Sequence, residues 1–208
     1  MPGHSTEIMQ DRTVEAIVRS ARDLLETRGD RTTAQFLSQW PMHGEPSRRV
    51  SPRELPVLEW VDDLEQVAVP ETRALVSMFV ESARRLAWAQ TYSREDFGDA
   101  FLARYAWTEL IGLRGPIASS KIAAGFLLLG PDVEYPLHSH EAEELYLPVA
   151  GTAKWRREYE DWTRRAPGTT IYHASCVPHA MKTQAEPLLA VYVWRGGNLT
   201  QKSTILER

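Results

Sequence analysis

Cysteine is almost missing from this chain: one residue in 208, Cys176. A lone cysteine excludes an internal disulfide framework and fits a reducing compartment. Charge of one sign is not in excess either. The formal net charge is −4, which gives no basic face for nucleic acid. No apolar run approaches the roughly 20 residues that a membrane span needs. Met1 to Glu7 carries no basic segment followed by an apolar one, so a secretory leader is not expected and the cytoplasm is the expected location. Internal repeats and low-complexity tracts are also lacking. Aromatic residues are plentiful, with seven tryptophans and seven tyrosines, so aromatic walls are expected somewhere.

The length suits one globular domain, or one domain with a sizeable extension. The first half reads as helical. Val14, Ile17, Val18, Ala21, Leu24 and Leu25 form one stripe of a 3.6-residue period between Thr13 and Thr27, with Gly29 as the stop. A short helix is expected from Thr33 to Trp40, then a loop from Pro41 to Pro56 that includes Gly44 and Ser47. A stronger helix is expected from Pro70 to Thr91, with Pro70 in its first turn, and another over Asp96 to Ile111. After Gly115 the texture changes. Short strand-like segments at Lys121–Leu129, Glu144–Val149, Thr152–Arg157, Thr169–His173 and Leu188–Trp194 are separated by Gly, Pro or polar turns. Such spacing argues for an antiparallel barrel or jelly roll. The expected fold is α+β: a helical N-terminal region, 1–115, packed on a β-barrel, 116–208.

The chemistry concentrates in His138, His140 and Glu144. Histidines one residue apart on a strand face the same way, and Glu144 can join them if the strand bends. Imidazole with carboxylate suits one divalent transition metal ion, with Zn, Fe, Mn, Ni, Co and Cu all open.

These residues resemble the first cupin motif, G-x5-H-x-H-x3-E-x6-G, through His138, His140, Glu144 and Gly151, with Asp132 in place of the leading glycine. The second motif, G-x5-P-x-G-x2-H-x3-N, is matched by Gly168 and His179. Ala174, Cys176 and Thr183 stand where it has proline, glycine and asparagine. The resemblance implies a cupin barrel with His179 as fourth ligand, and Cys176 is expected to be a small buried filler of a glycine position. His173 is expected to be structural.

Tyr135, Tyr146, Pro148, Ala153, Trp155 and Arg156 around the first motif, and Trp162, Met181, Tyr192 and Trp194 beyond it, narrow the likeness. The chain resembles the cupin-type dimethylsulfoniopropionate lyases of the Q/L type. That resemblance implies β-elimination of a sulfonium carboxylate to dimethyl sulfide and acrylate, with the metal holding the carboxylate oxygens. It implies Tyr146 as the base, with Tyr135 sharing or orienting. Trp194, Tyr192, Trp155 and Trp162 are the candidates to face the sulfonium, which has no N–H donors but suits aromatic faces. A homodimer is a further expectation. Two other classes stay open: another metal-dependent cupin enzyme, a dioxygenase or isomerase on a small organic acid, or a non-enzymatic cupin sensor.

Overall fold

The computed structural model describes residues 3–41 and 48–206, and side chains from residue 12 onward. Gly44 and Ser47 of the expected loop lie outside the described residues. Helix α1 spans Gly3–Glu26 and α2 spans Arg31–Leu37. The six stripe residues of α1 are all buried. Asp30 caps α2 by accepting a 2.8 Å bond from the Thr33 amide.

The next helix is shorter than its periodicity predicts. Helix α3 covers only Arg73–Ser82, and a 3-10 turn, Ala83–Arg85, leads into the two-residue strand β1, Trp88–Ala89. Pro70 lies before α3 rather than in its first turn. The Ser82 hydroxyl bonds back to Met78 O at 2.7 Å, and the Trp88 indole donates to Ala83 O at 2.8 Å, both at the place where the helix stops. The helix expected over Asp96–Ile111 is a larger departure. Helix α4, Arg94–Leu102, is followed by strand β2, Tyr105–Gly112. Strand structure therefore begins well ahead of residue 116.

The remaining strands are β3 (Ile117–Ala118), β4 (Ile122–Leu129), β5 (Glu134–Ser139), β6 (Glu143–Ala150), β7 (Ala153–Arg157), β8 (Thr163–Arg165), β9 (Ile171–His173), β10 (His179–Lys182), β11 (Leu188–Arg195) and β12 (Thr204–Ile205). One sheet runs β1-β2-β4-β11-β6-β9, with β3 beside β2 in parallel, and the other runs β12-β5-β10-β7-β8. All other pairings are antiparallel.

Alternation along the central strands assigns each residue to one of two cores. Leu145, Leu147 and Val149 of β6, with Val191 and Val193 of β11, join Ile17, Leu25, Val76 and Phe79 of the helices. Tyr146 of β6 and Ala190 and Tyr192 of β11 point the other way, joining Tyr135, Trp155 and Met181 of the second sheet. The larger sheet is thus covered on both faces, which is why β4 and β11 read as nearly unbroken apolar runs.

The motif glycines are conformational requirements. Gly151 has φ +74°, and a Cβ there would lie 1.8 Å from Pro187 O; Gly168 has φ +86°, and a Cβ would lie 2.2 Å from Glu71 Oε1. Asp132 and Cys176, which occupy the two missing motif glycines, also take positive φ, 50° and 61°. The backbone shape is kept although the glycine is gone. Cys176 is exposed, correcting its reading as a buried filler: a residue at that turn is held by its backbone, through a 2.9 Å bond from its amide to His140 O.

Candidate metal centre

Four side chains converge between the two sheets. His138 on β5 and His179 on β10 are register partners across neighbouring strands. His140 lies just past the end of β5, and Glu144 is the second residue of β6 on the opposite sheet. The turn from β5 to β6 therefore supplies the bend that carries the carboxylate across. Potential ligand atoms of His138, His140 and His179 all lie within 4.8 Å of one another. Glu144 Oε2 is 3.0 Å from His140 Nε2 and 3.1 Å from His179 Nε2. All four residues are buried.

The backbone fixes the tautomers. His138 Nδ1 lies 2.8 Å from Pro136 O, His140 Nδ1 2.9 Å from Ala142 O, and His179 Nδ1 3.0 Å from Val177 O. A carbonyl only accepts, so each Nδ1 carries the proton and donates it. In neutral rings each Nε2 is then a lone pair, and two of these lone pairs face the Glu144 carboxylate. Acceptors converging on acceptors repel unless a cation or a proton lies among them. The donor set fits a divalent metal of the kind that takes imidazole and carboxylate.

Where no metal lies between them, protons serve as the cation: burial alone would raise the Glu144 carboxyl, but the charge and hydrogen bonds of protonated His140 and His179 outweigh it and hold it well below the usual carboxylate range. Burial and the neighbouring His179 push His138 well below the usual imidazole value, so it stays neutral and ready to ligate. Glu144 Oε1 accepts a 2.6 Å bond from the Trp194 indole, the supporting contact that fixes a ligand's direction.

A narrow cleft of about 50 Å³, open to solvent, adjoins this centre. Tyr135, Tyr146, Tyr192, Trp194 and Glu144 line it together with Tyr105, Trp107 and Arg114. Tyr135 stacks on His138 with centroids 4.0 Å apart, and its hydroxyl shares a 2.9 Å bond with that of Tyr92. Burial raises Tyr146, Tyr135 and Tyr192 well above the usual phenol value, for Tyr146 with help from the Glu144 charge. Tyr105 is pushed up by burial to about 12.

Two expected wall residues lie elsewhere. Trp162 packs under the cations of Lys182 and Arg156, at 4.1 and 4.9 Å, outside the cleft. Trp155 is buried against Tyr146, at 4.9 Å, behind the cleft wall. Conversely His173, read as structural, sits beside the centre: its ring stacks on His179 at 4.0 Å and 8°. Tyr105 and Trp107 are hidden by the helical reading of Asp96–Ile111, and Arg114 lies in the turn just beyond it. The two-residue alternation Tyr105, Trp107, Glu109 is the signal for the two aromatic residues; Arg114 has none.

Three imidazoles and a carboxylate between two largely antiparallel sheets define a metal-binding protein of the cupin class. The family model for dimethylsulfoniopropionate lyase matches residues 29–190, and the chain belongs to that family. The dimethylsulfoniopropionate lyase DddQ of Ruegeria pomeroyi is 32% identical over 147 residues, covering 71% of this chain and 73% of that protein. A putative dimethylsulfoniopropionate lyase of Cereibacter sphaeroides, DddL, is 37% identical over 116 residues, covering 55% of this chain and 47% of that protein. Among solved structures, that of the Ruegeria pomeroyi DMSP lyase DddQ superposes with a TM-score of 0.81 at 26% identity, covering 94% of this chain and 96% of that one. A structure reported with the DMSP lyases RdDddP and RnDddQII gives 0.83 at 27% identity, covering 95% of this chain and all of the other.

Proposed function

We propose that this protein is a metal-dependent dimethylsulfoniopropionate lyase whose ligands are His138, His140, Glu144 and His179. The observation that carries the reading is the convergence of the four donors beside an aromatic cleft that Glu144, Tyr135 and Tyr146 line. A divalent cation held there supplies Lewis acidity toward the substrate carboxylate, on which abstraction at C2 builds further negative charge. The chain supplies the rest. Tyr146 takes the C2 proton on its phenolate oxygen; the C2–H electron pair becomes the new C2–C3 π bond. The C3–S pair leaves with sulfur as dimethyl sulfide, and acrylate remains.

Tyr135, hydrogen-bonded to Tyr92 and stacked on His138, orients the substrate. Tyr192 and Trp194 offer their faces to the sulfonium, at about 0.5–2 kcal/mol for each desolvated contact. Trp194 also holds Glu144. The two sheets close as a cupin barrel, and the helical region serves as its cover rather than as a separate unit. We further propose a homodimer in the cytoplasm, with no nucleic-acid partner.

The test is release of dimethyl sulfide from dimethylsulfoniopropionate by metal-reconstituted protein, followed in the headspace with acrylate measured in parallel. Equimolar products above a chelator-treated control are expected. Release no faster than in that control would remove the proposal.

A further inference from the structure

We propose that Arg114 is a carboxylate-recognition residue of the cleft, its remaining guanidinium donors holding one carboxylate oxygen of the bound substrate and of the acrylate product. This rests on the lyase reading for the identity of the ligand. Among the residues that line the cleft, Arg114 is the one cation. Its side chain is 44% exposed whereas that of Glu109 is 3% exposed, so a buried anion anchors a cation at the open end.

The anchoring is elaborate for a turn residue. Glu109 accepts from the Arg114 amide at 2.6 Å, from the Gly115 amide at 2.9 Å and from Arg114 Nε at 3.0 Å. Arg114 Nη2 reaches Glu109 at 3.0 Å and the Leu199 carbonyl at 3.4 Å. The guanidinium carbon lies 4.6 Å from the centroid of Trp107, itself a cleft residue. Every group that fixes the guanidinium acts through Nε, Nη2 or the ring face. Nη1 has no hydrogen bond among the described residues.

A guanidinium held in one orientation, with donors left over beside a cleft, is suited to a carboxylate oxygen. The dimethylsulfonium end has no acceptor to offer those donors and carries the same charge, so Arg114 also disfavours entry with the sulfonium leading. Glu144 lines the same cleft and is buried. A carboxylate oxygen held at Nη1 keeps that contact in the bound complex, so loss of Arg114 weakens binding itself.

The test compares Arg114→Gln, Arg114→Lys and the double variant E109Q/R114Q with the parent, all metal-loaded. The double variant leaves no buried carboxylate without its cation, so a folding defect of the single variant does not decide the matter. Calorimetric titration with propionate and acrylate is read beside KM and kcat for dimethylsulfoniopropionate. The expected result is a rise of about tenfold in Kd and KM for Arg114→Gln and for the double variant. The loss should fall on KM rather than kcat, with partial recovery in Arg114→Lys. Carboxylate Kd values within twofold of the parent in the double variant would overturn the role of Arg114. If the parent released no dimethyl sulfide, the lyase reading would fall, while the propionate titrations would still decide whether Arg114 binds carboxylates.

Discussion

As the proposed base, Tyr146 must give up a proton before it can take one, and its surroundings resist that. Burial and the adjacent Glu144 charge both raise its phenol well above the ordinary value. A raised value means the phenolate fraction grows with every step in pH through the alkaline range, and a cation at the four ligands is what brings that range closer to neutrality. Activity is therefore expected to rise with pH along a single-deprotonation limb, and a flat profile from pH 6 to 9 with chemistry rate-limiting would count against Tyr146 as base. Tyr146→Phe removes the proton acceptor but keeps the ring against Trp155. A fall in kcat of about 10²–10⁴ is expected, with metal content by elemental analysis unchanged.

Residue types at fixed spacing were legible: two histidines, a glutamate and a later histidine announced a metal site. The direction of single aromatics was not, as Trp162 shows. A tryptophan beside a motif looks the same in the sequence whether it faces a cleft or lies under Lys182.

Between α4 and β2 the chain changes period within a few residues. Phe101, Leu102, Tyr105 and Ala106 satisfy helical spacing, while Tyr105, Trp107 and Glu109 satisfy a strand, and local pattern alone does not choose. Pairing with β4, from Tyr105 opposite Leu129 onward, decides for the strand. That pairing is long-range, and no window of sequence contains it. The strands that carry the candidate site are easier because Gly and Pro punctuate them.

The start of α4 carries its own pH signature. Asp96 accepts from the Ser93 amide at 2.8 Å as half of a capping box, and from Lys202 Nζ at 2.8 Å. The Lys202 contact, then the Ser93 amide, lowers its carboxyl to about 2 from the usual 3.8. A depressed folded value contributes stability above the unfolded value, and that contribution disappears as pH falls from about 3.8 to about 2. Asp96→Asn is expected to lower the unfolding midpoint at pH 6, with the difference from the parent shrinking to nothing near pH 2. A difference independent of pH would show that the charge plays no part.

At the scale of the molecule, helices and sheets share a core. Phe79 of α3 packs on Phe126 of β4 with centroids 4.6 Å apart, and on Trp88 of β1 at 5.9 Å. The Thr72 hydroxyl before α3 donates to Val149 O of β6 at 2.6 Å. Neither part buries its apolar face without the other, so unfolding is expected to be a single transition. Far-ultraviolet circular dichroism and tryptophan fluorescence should give coincident denaturation curves. Phe79→Ala should shift both together, by about 3–5 kcal/mol. Curves that separate would make the helical region an independent unit.

One consequence concerns the history of the ion rather than its chemistry. Each candidate ligand imidazole is pinned by its own Nδ1 to a carbonyl two residues away, so the backbone sets where the rings stand. The socket then outlasts its occupant. After stripping by a chelator, the protein should keep its circular dichroism spectrum and regain activity within the mixing time on adding metal, at a rate set by ion concentration. A slow, concentration-independent recovery would mean that the metal builds its own seat.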